Sequence, residues 1–131
     1  MKVCSICGKE YEGFGNNSWP LKREQCCYMC NNNVLIPLRL YFAGTVKNQI
    51  LCINEDGECV FMFVNKEDIL DVLQELVKGY IEMYPKQDRH FHYVVNEEGL
   101  LKHMKYNALV KELLDIDVVG PLVVVPKHLF K

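Results

Sequence analysis

Two cysteine pairs of identical spacing, Cys4-x2-Cys7 and Cys27-x2-Cys30, constrain this 131-residue chain more than any other feature. Two residues between thiols let one tight turn aim both sulfurs at a single ion. A second such turn about twenty residues away completes a tetrahedral site. The stretch CCYMC offers a further candidate, Cys26, and using it in place of Cys27 would change the second spacing to x3. The residue after each pair helps to choose. Gly8 follows Cys7 and Asn31 follows Cys30, and Gly and Asn are the residues that reach positive φ at least cost. Matched turns favour Cys27 and Cys30 and leave Cys26 as a packing thiol. Four thiolates close the coordination sphere, which leaves no position for water or substrate and makes the ion structural. Ribbon spacing favours one Zn²⁺ over an iron–sulfur cluster.

A metal is needed here because residues 1–33 are poor in apolar mass. They hold five of the seven cysteines, punctuated by Gly8, Gly13, Gly15, Asn16 and Asn17, and so small a segment needs an ion in place of a core. The start, MKVCSICGKEY, lacks the apolar run of a secretory signal. Paired CxxC without an export signal reads as metal ligation in a reducing compartment rather than as disulfides. No apolar run reaches the roughly 18 residues of a membrane span. The formal net charge of −2 gives no basic footprint for nucleic acid over the whole chain.

The boundary between ribbon with connector (1–43) and a second domain (44–131) follows from this change in composition. NVLIPLRLYF (33–42) reads either as a helix kinked at Pro37 or as a strand. NQILCIN (48–54) and ECVFMFV (58–64) read as a hairpin around EDG, apolar on both faces and so covered on each side. NKEDILDVLQELVKGYIEMY (65–84) carries a stripe of Ile69, Val72, Leu73, Leu76, Val77, Tyr80 and Ile81 at helical spacing, ended by Pro85. HFHYVVN (90–96) reads as a strand, 105–116 as a helix and 118–126 as a last strand. The expected fold is α+β: a Cys4 ribbon joined to a small, mainly antiparallel sheet in the order ββαβαβ, with two helices on one face.

Other groups carry weaker signals. His90 and His92 share one face of a strand but lack a third ligand nearby. Cys52 and Cys59 flank the hairpin turn and read as buried small hydrophobes. Lys9, Trp19, Lys22 and Arg23 suit single-stranded nucleic acid, although Glu10, Glu12 and Glu24 dilute the charge and the aromatics have packing to do. Seven acids and one base lie between Asn54 and Glu75, and Glu67, Asp71 and Glu75 recur every four residues on one helix face. Such a face is either simply solvated or a docking surface for a basic partner. No catalytic motif is present, and an enzyme is not expected.

CSICGKEYEGFGNN and CCYMCNNNVLIP resemble a Cys4 ribbon found at the front of small phage and prophage proteins. LQELVKGYIE (73–82), VVNEEGLL (94–101), Asn107 and VVGPLVVV (118–125) resemble a phage and mobile-element domain family of unknown function, although VKGY stands where that family is glycine-rich. The combination looks like a zinc-containing, Cas9-directed anti-CRISPR protein. That resemblance implies a non-enzymatic inhibitor in the cytoplasm of the bacterial host, which binds a host defence protein such as Cas9. It carries over only Cys4, Cys7, Cys27 and Cys30, as ligands of one structural zinc. Glu67, Asp71 and Glu75 are the expected partner surface. A nucleic-acid-binding ribbon and a protein that sequesters a small nucleotide are the alternatives.

Overall fold

The computed structural model describes residues 2–44, 48–85, 90–99 and 102–129; the last two residues of VVNEEGLL lie outside this set. Contacts divide the chain into two units, Met1–Val46 and Lys47–Lys131. The architecture is α+β, with two antiparallel sheets and helices.

In the first unit, β1 (Lys2–Val3) pairs with β2 (Glu10–Tyr11) on either side of the first cysteine pair. The second pair runs straight into a helix. α1 (Tyr28–Cys30) continues through a wide turn (Asn31–Leu35) into α2 (Ile36–Phe42). The Ile36 N–H reaches back to the Asn31 carbonyl, five residues earlier. Such a widened turn lets Pro37, which has no N–H to give, sit within a continuous helical path. Of the two readings of 33–42, the helical one holds. Leu35, Leu38 and Tyr41 are spaced to bury together, and all three are buried.

The second unit is a five-stranded sheet in the order β4-β3-β7-β6-β5, every neighbouring pair antiparallel. β3 (Gln49–Ile53) and β4 (Cys59–Phe63) form the expected hairpin. β3 is central and buried, whereas β4 lies at the end of the sheet with Val60 and Phe63 exposed. The expectation that the whole hairpin is covered on both faces therefore holds for β3 alone.

α3 (Ile69–Val77), entered through a tight turn at Lys66–Asp68, is shorter than the stripe predicts. Lys78 takes the left-handed conformation (φ 64, ψ 39), and the Gly79 N–H bonds the Gln74 carbonyl while the Lys78 N–H bonds that of Glu75. This pair of bonds closes a helix end. Asn96 then donates to the Val77 carbonyl at 2.7 Å, and a Cβ at Gly79 would stand 2.9 Å from that amide nitrogen. The chain reverses and 81–83 becomes an edge strand, β5 (Ile81–Met83), paired with β6 (Phe91–Asn96). Tyr80, expected in the buried stripe, is 69% exposed. The second helix, α4 (Ala108–Leu114), is also shorter than 105–116. It begins on an Asn107 cap and stops at a left-handed Asp115. β7 (Leu122–Pro126) completes an order of ββαββαβ.

α3 lays Ile69, Leu73 and Val77 on Ile50, Cys52, Val94, Val123 and Val125. The alternate residues Leu51, Ile53, Tyr93, Val95, Leu122 and Val124 are buried too, so the centre of the opposite face is also covered. Leu73 is fully buried at the centre of the α3 face. Leu73→Ala is expected to cost about 3 kcal/mol from lost transfer energy and an unfilled cavity. A lowered urea midpoint with an unchanged slope checks this.

Candidate metal centre

The Sγ atoms of Cys4, Cys7, Cys27 and Cys30 all lie within 4.8 Å of one another, an arrangement that could hold a metal ion. The first turn has the expected form. Gly8 stands at φ +76, and its N–H bonds the Cys4 carbonyl at 3.0 Å. The N–H groups of Ile6 and Cys7 approach the Cys4 sulfur at 3.4 and 3.5 Å, the kind of contact that spreads thiolate charge. The second turn does not mirror the first. Asn31 is right-handed (φ −58, ψ −46), and its N–H bonds the Cys27 carbonyl at 3.0 Å as a helix begins. The matched-turn argument for Cys27 over Cys26 therefore fails.

A different feature separates them. Cys26 exchanges both backbone hydrogen bonds with Asn16, at 2.9 and 3.0 Å. Its side chain is fully buried and bonds Ser18, and it is not part of the sulfur cluster. Burial pushes its thiol up. Ser18 also holds the Glu24 carbonyl and faces Ser5 Oγ at 3.1 Å, which draws the two cysteine-bearing segments together.

The cluster's electrostatics are those of crowded sulfurs. Burial pushes Cys4 up, but N–H donation from Cys27, Cys7 and Ile6 outweighs it and brings the thiol down to about 6. Burial and then the neighbouring sulfurs of Cys7, Cys27 and Cys4 hold the Cys30 thiol far above its ordinary range. Without a cation, four thiolates this close cannot all be charged; a dication reverses that balance.

Glu67, Asp71 and Glu75 are all exposed. Glu67 lies on the tight turn before α3 and the other two on α3 itself. Among Lys9, Trp19, Lys22 and Arg23, the outcome for Trp19 differs from a packing role. It is 61% exposed, and Phe14 is 97% exposed. Ser18, Leu21 and Cys26 take the buried positions of the loop segment instead. Arg39, which sequence reasoning missed, reaches back from α2. Its guanidinium lies 6.0 Å from the Trp19 ring and donates to the carbonyls of Trp19 and Asn17 at 2.7 and 2.6 Å. Only its place one turn beyond Leu35 on a helix could have signalled this.

Among the described residues, His90 and His92 join no metal-holding group. Cys59 pairs with Ile53 and Cys52 with Val60, so the two thiols point to opposite faces and form no redox pair. Burial pushes both up to about 11. Among the described residues, no helix is long and apolar enough to cross a membrane. Residues 46–128 match the model of a family described as Domain of unknown function (DUF3846). No curated protein and no solved structure matches the chain.

Proposed function

This chain belongs to the DUF3846 family, and on that premise we propose that it is a non-enzymatic zinc protein that acts by binding a host defence protein. The observation that carries this is the closed cluster of four cysteine sulfurs. Four thiolates suit Zn²⁺ and leave it no reactive position. The ion then fixes the shape of the first unit, and function falls to the surfaces of the protein. The resemblance of ribbon and second domain together supplies the finer reading, that the partner is Cas9 and the protein an anti-CRISPR inhibitor carried by a phage. Exposed Glu67, Asp71 and Glu75 support it, because a nuclease that grips nucleic acid presents basic surface.

The test uses purified, zinc-loaded protein with guide-loaded Cas9. Co-elution and loss of DNA cleavage are expected, and a Glu67→Lys/Asp71→Lys/Glu75→Lys variant should inhibit at least tenfold less well. Full cleavage in the presence of a tenfold excess of protein would remove Cas9. Undiminished inhibition by the variant would remove this acidic face.

A second reading draws on the exposed Trp19 with Arg39 over its ring. An exposed aromatic in the unit that also carries Lys9, Lys22 and Arg23 suits single-stranded nucleic acid. A gel shift of DNA or RNA that weakens steeply with salt would favour it.

A further inference from the structure

On the sheet face turned away from α3, a cavity of about 600 Å³ opens where β6 ends and β7 is about to begin. Val95 marks the face. It pairs with Glu82 on β5 and Leu122 on β7 and alternates with Val94, which belongs to the α3 core. Val95, Val118 and Val119 supply apolar lining, and Tyr106 supplies an aromatic ring. Beside neutral Asn96, the charged groups are all of one sign: Glu82, Glu97, Glu98 and Asp117.

These acids are not equivalent. Asp117 already accepts from Tyr106 Oη at 2.6 Å and lies 3.4 Å from Lys111 Nζ. Glu82, Glu97 and Glu98 have no ion-pair partner among the described residues. The turn that bears two of them is firmly held. Asn96 Oδ1 accepts from the Glu98 N–H at 2.7 Å, and the Gly99 N–H bonds the Asn96 carbonyl. The Asn96 amide is itself tied to the end of α3. A Cβ on Gly99 would meet Val119 at 3.1 Å, so the turn sits directly against the cavity's apolar side.

A concave site of this volume is of the size that takes a ligand rather than a single ion. Three uncompensated carboxylates repel phosphate, which argues against a nucleotide here. They favour a cation with an apolar stem, and the ring of Tyr106 adds a face that attracts one. We propose that this cavity receives a lysine or arginine side chain of the protein partner, its aliphatic stem on the valines and its charged head among Glu82, Glu97 and Glu98. The proposal rests on the reading that this protein works by binding another protein. A free polyamine shares the same chemistry, so the experiment separates the two.

The zinc-loaded full-length chain is titrated with acetyl-Arg-Leu-Arg-amide, acetyl-Glu-Leu-Glu-amide or spermidine and followed by amide NMR. The basic peptide should give saturable shifts centred on Gly99, Val118 and Val119. The Glu97→Gln/Glu98→Gln variant should bind it at least tenfold more weakly with the rest of its spectrum unchanged, and Glu82→Gln should weaken it in the same direction. Absence of saturable shifts, or an equal response to the acidic peptide, would overturn the site. Spermidine binding at the same amides as tightly as the peptide would overturn the side-chain occupant. The two readings fail separately. A Glu97→Gln/Glu98→Gln protein that still captures Cas9 at full strength sinks the cavity proposal alone. A wild type that binds the peptide and ignores Cas9 sinks the Cas9 reading alone.

Discussion

Chelation of the proposed zinc is expected to abolish hydrogen-exchange protection in the first unit and to leave the five-stranded sheet protected. Beyond the Asn16–Cys26 pair and the Ser18 contacts, the first unit has little else to hold its cysteine-bearing segments. Its two strands are two residues long, and the loop between the cysteine pairs exposes Phe14 and Trp19. Without a cation, burial and then the neighbouring sulfurs keep the Cys30 thiol protonated, and a cation is needed for all four sulfurs to be charged together. Structural zinc in isolated small modules contributes about 10–16 kcal/mol of apparent binding energy, more than a segment of this size gains from apolar burial. The amides of Asn16 and Cys26, which bridge the loop, are the place to look. Protection that survives there after chelation would show that the ion is dispensable. Single variants sharpen the result. Cys4→Ser, Cys7→Ser, Cys27→Ser and Cys30→Ser should each lose the ion in metal analysis. Cys26→Ser should keep it, because that thiol bonds Ser18 and lies outside the cluster. Equal loss from Cys26→Ser and Cys27→Ser would break the assignment.

The cysteine cluster was legible in the sequence because its spacing is local chemistry: two sulfurs per turn, four per ion. The reason for preferring Cys27 was not. Asn31 can adopt positive φ, yet here the chain after Cys30 enters a helix, and helix continuation decides its conformation. Strands β3, β4, β6 and β7 were legible from their β-branched and aromatic runs. β5 was hidden because Tyr80 and Ile81 fall in phase with the α3 stripe, and periodicity cannot see that a helix has ended. The ending is made by Lys78, an unremarkable residue forced left-handed so that Gly79 can pass close to the Asn96 amide. That contact joins the end of β6 to the end of α3 and is invisible in any local window. The acidic cavity was hidden for the same reason. Glu82, Glu97 and Asp117 come from three separate stretches that only the pairing of β5, β6 and β7 brings near one another.

Asn107→Ala is expected to destabilise the second unit by about 3–5 kcal/mol, the largest effect of any single polar side chain among the described residues outside the cysteine cluster. The residue is fully buried, and its amide joins three elements. Its Nδ2 donates to the Ile53 carbonyl at the end of β3 and to the Gly120 carbonyl before β7, both at 2.9 Å. Its Oδ1 accepts from the Val110 N–H at 3.0 Å and caps α4. Removing the amide orphans two carbonyls and one N–H, each costing about 1–3 kcal/mol where no water replaces the bond. Little relaxation is available. Gly120 stands at φ +76 with Met104 packed close against it, so the chain entering β7 is already closely packed there. The comparison with Asn107→Asp separates the roles. A carboxylate keeps the helix cap but turns negative charge toward two carbonyl oxygens and donates to neither. If the cap dominates, Asp restores most of the stability; if the two donated bonds dominate, Asp is at least as damaging as Ala. The second order is expected, since a cap alone is worth about 1 kcal/mol. Urea unfolding of the three proteins, followed by far-UV circular dichroism, reads it directly, and an Asn107→Asp protein close to wild type in midpoint would show that the amide's donors hold nothing together.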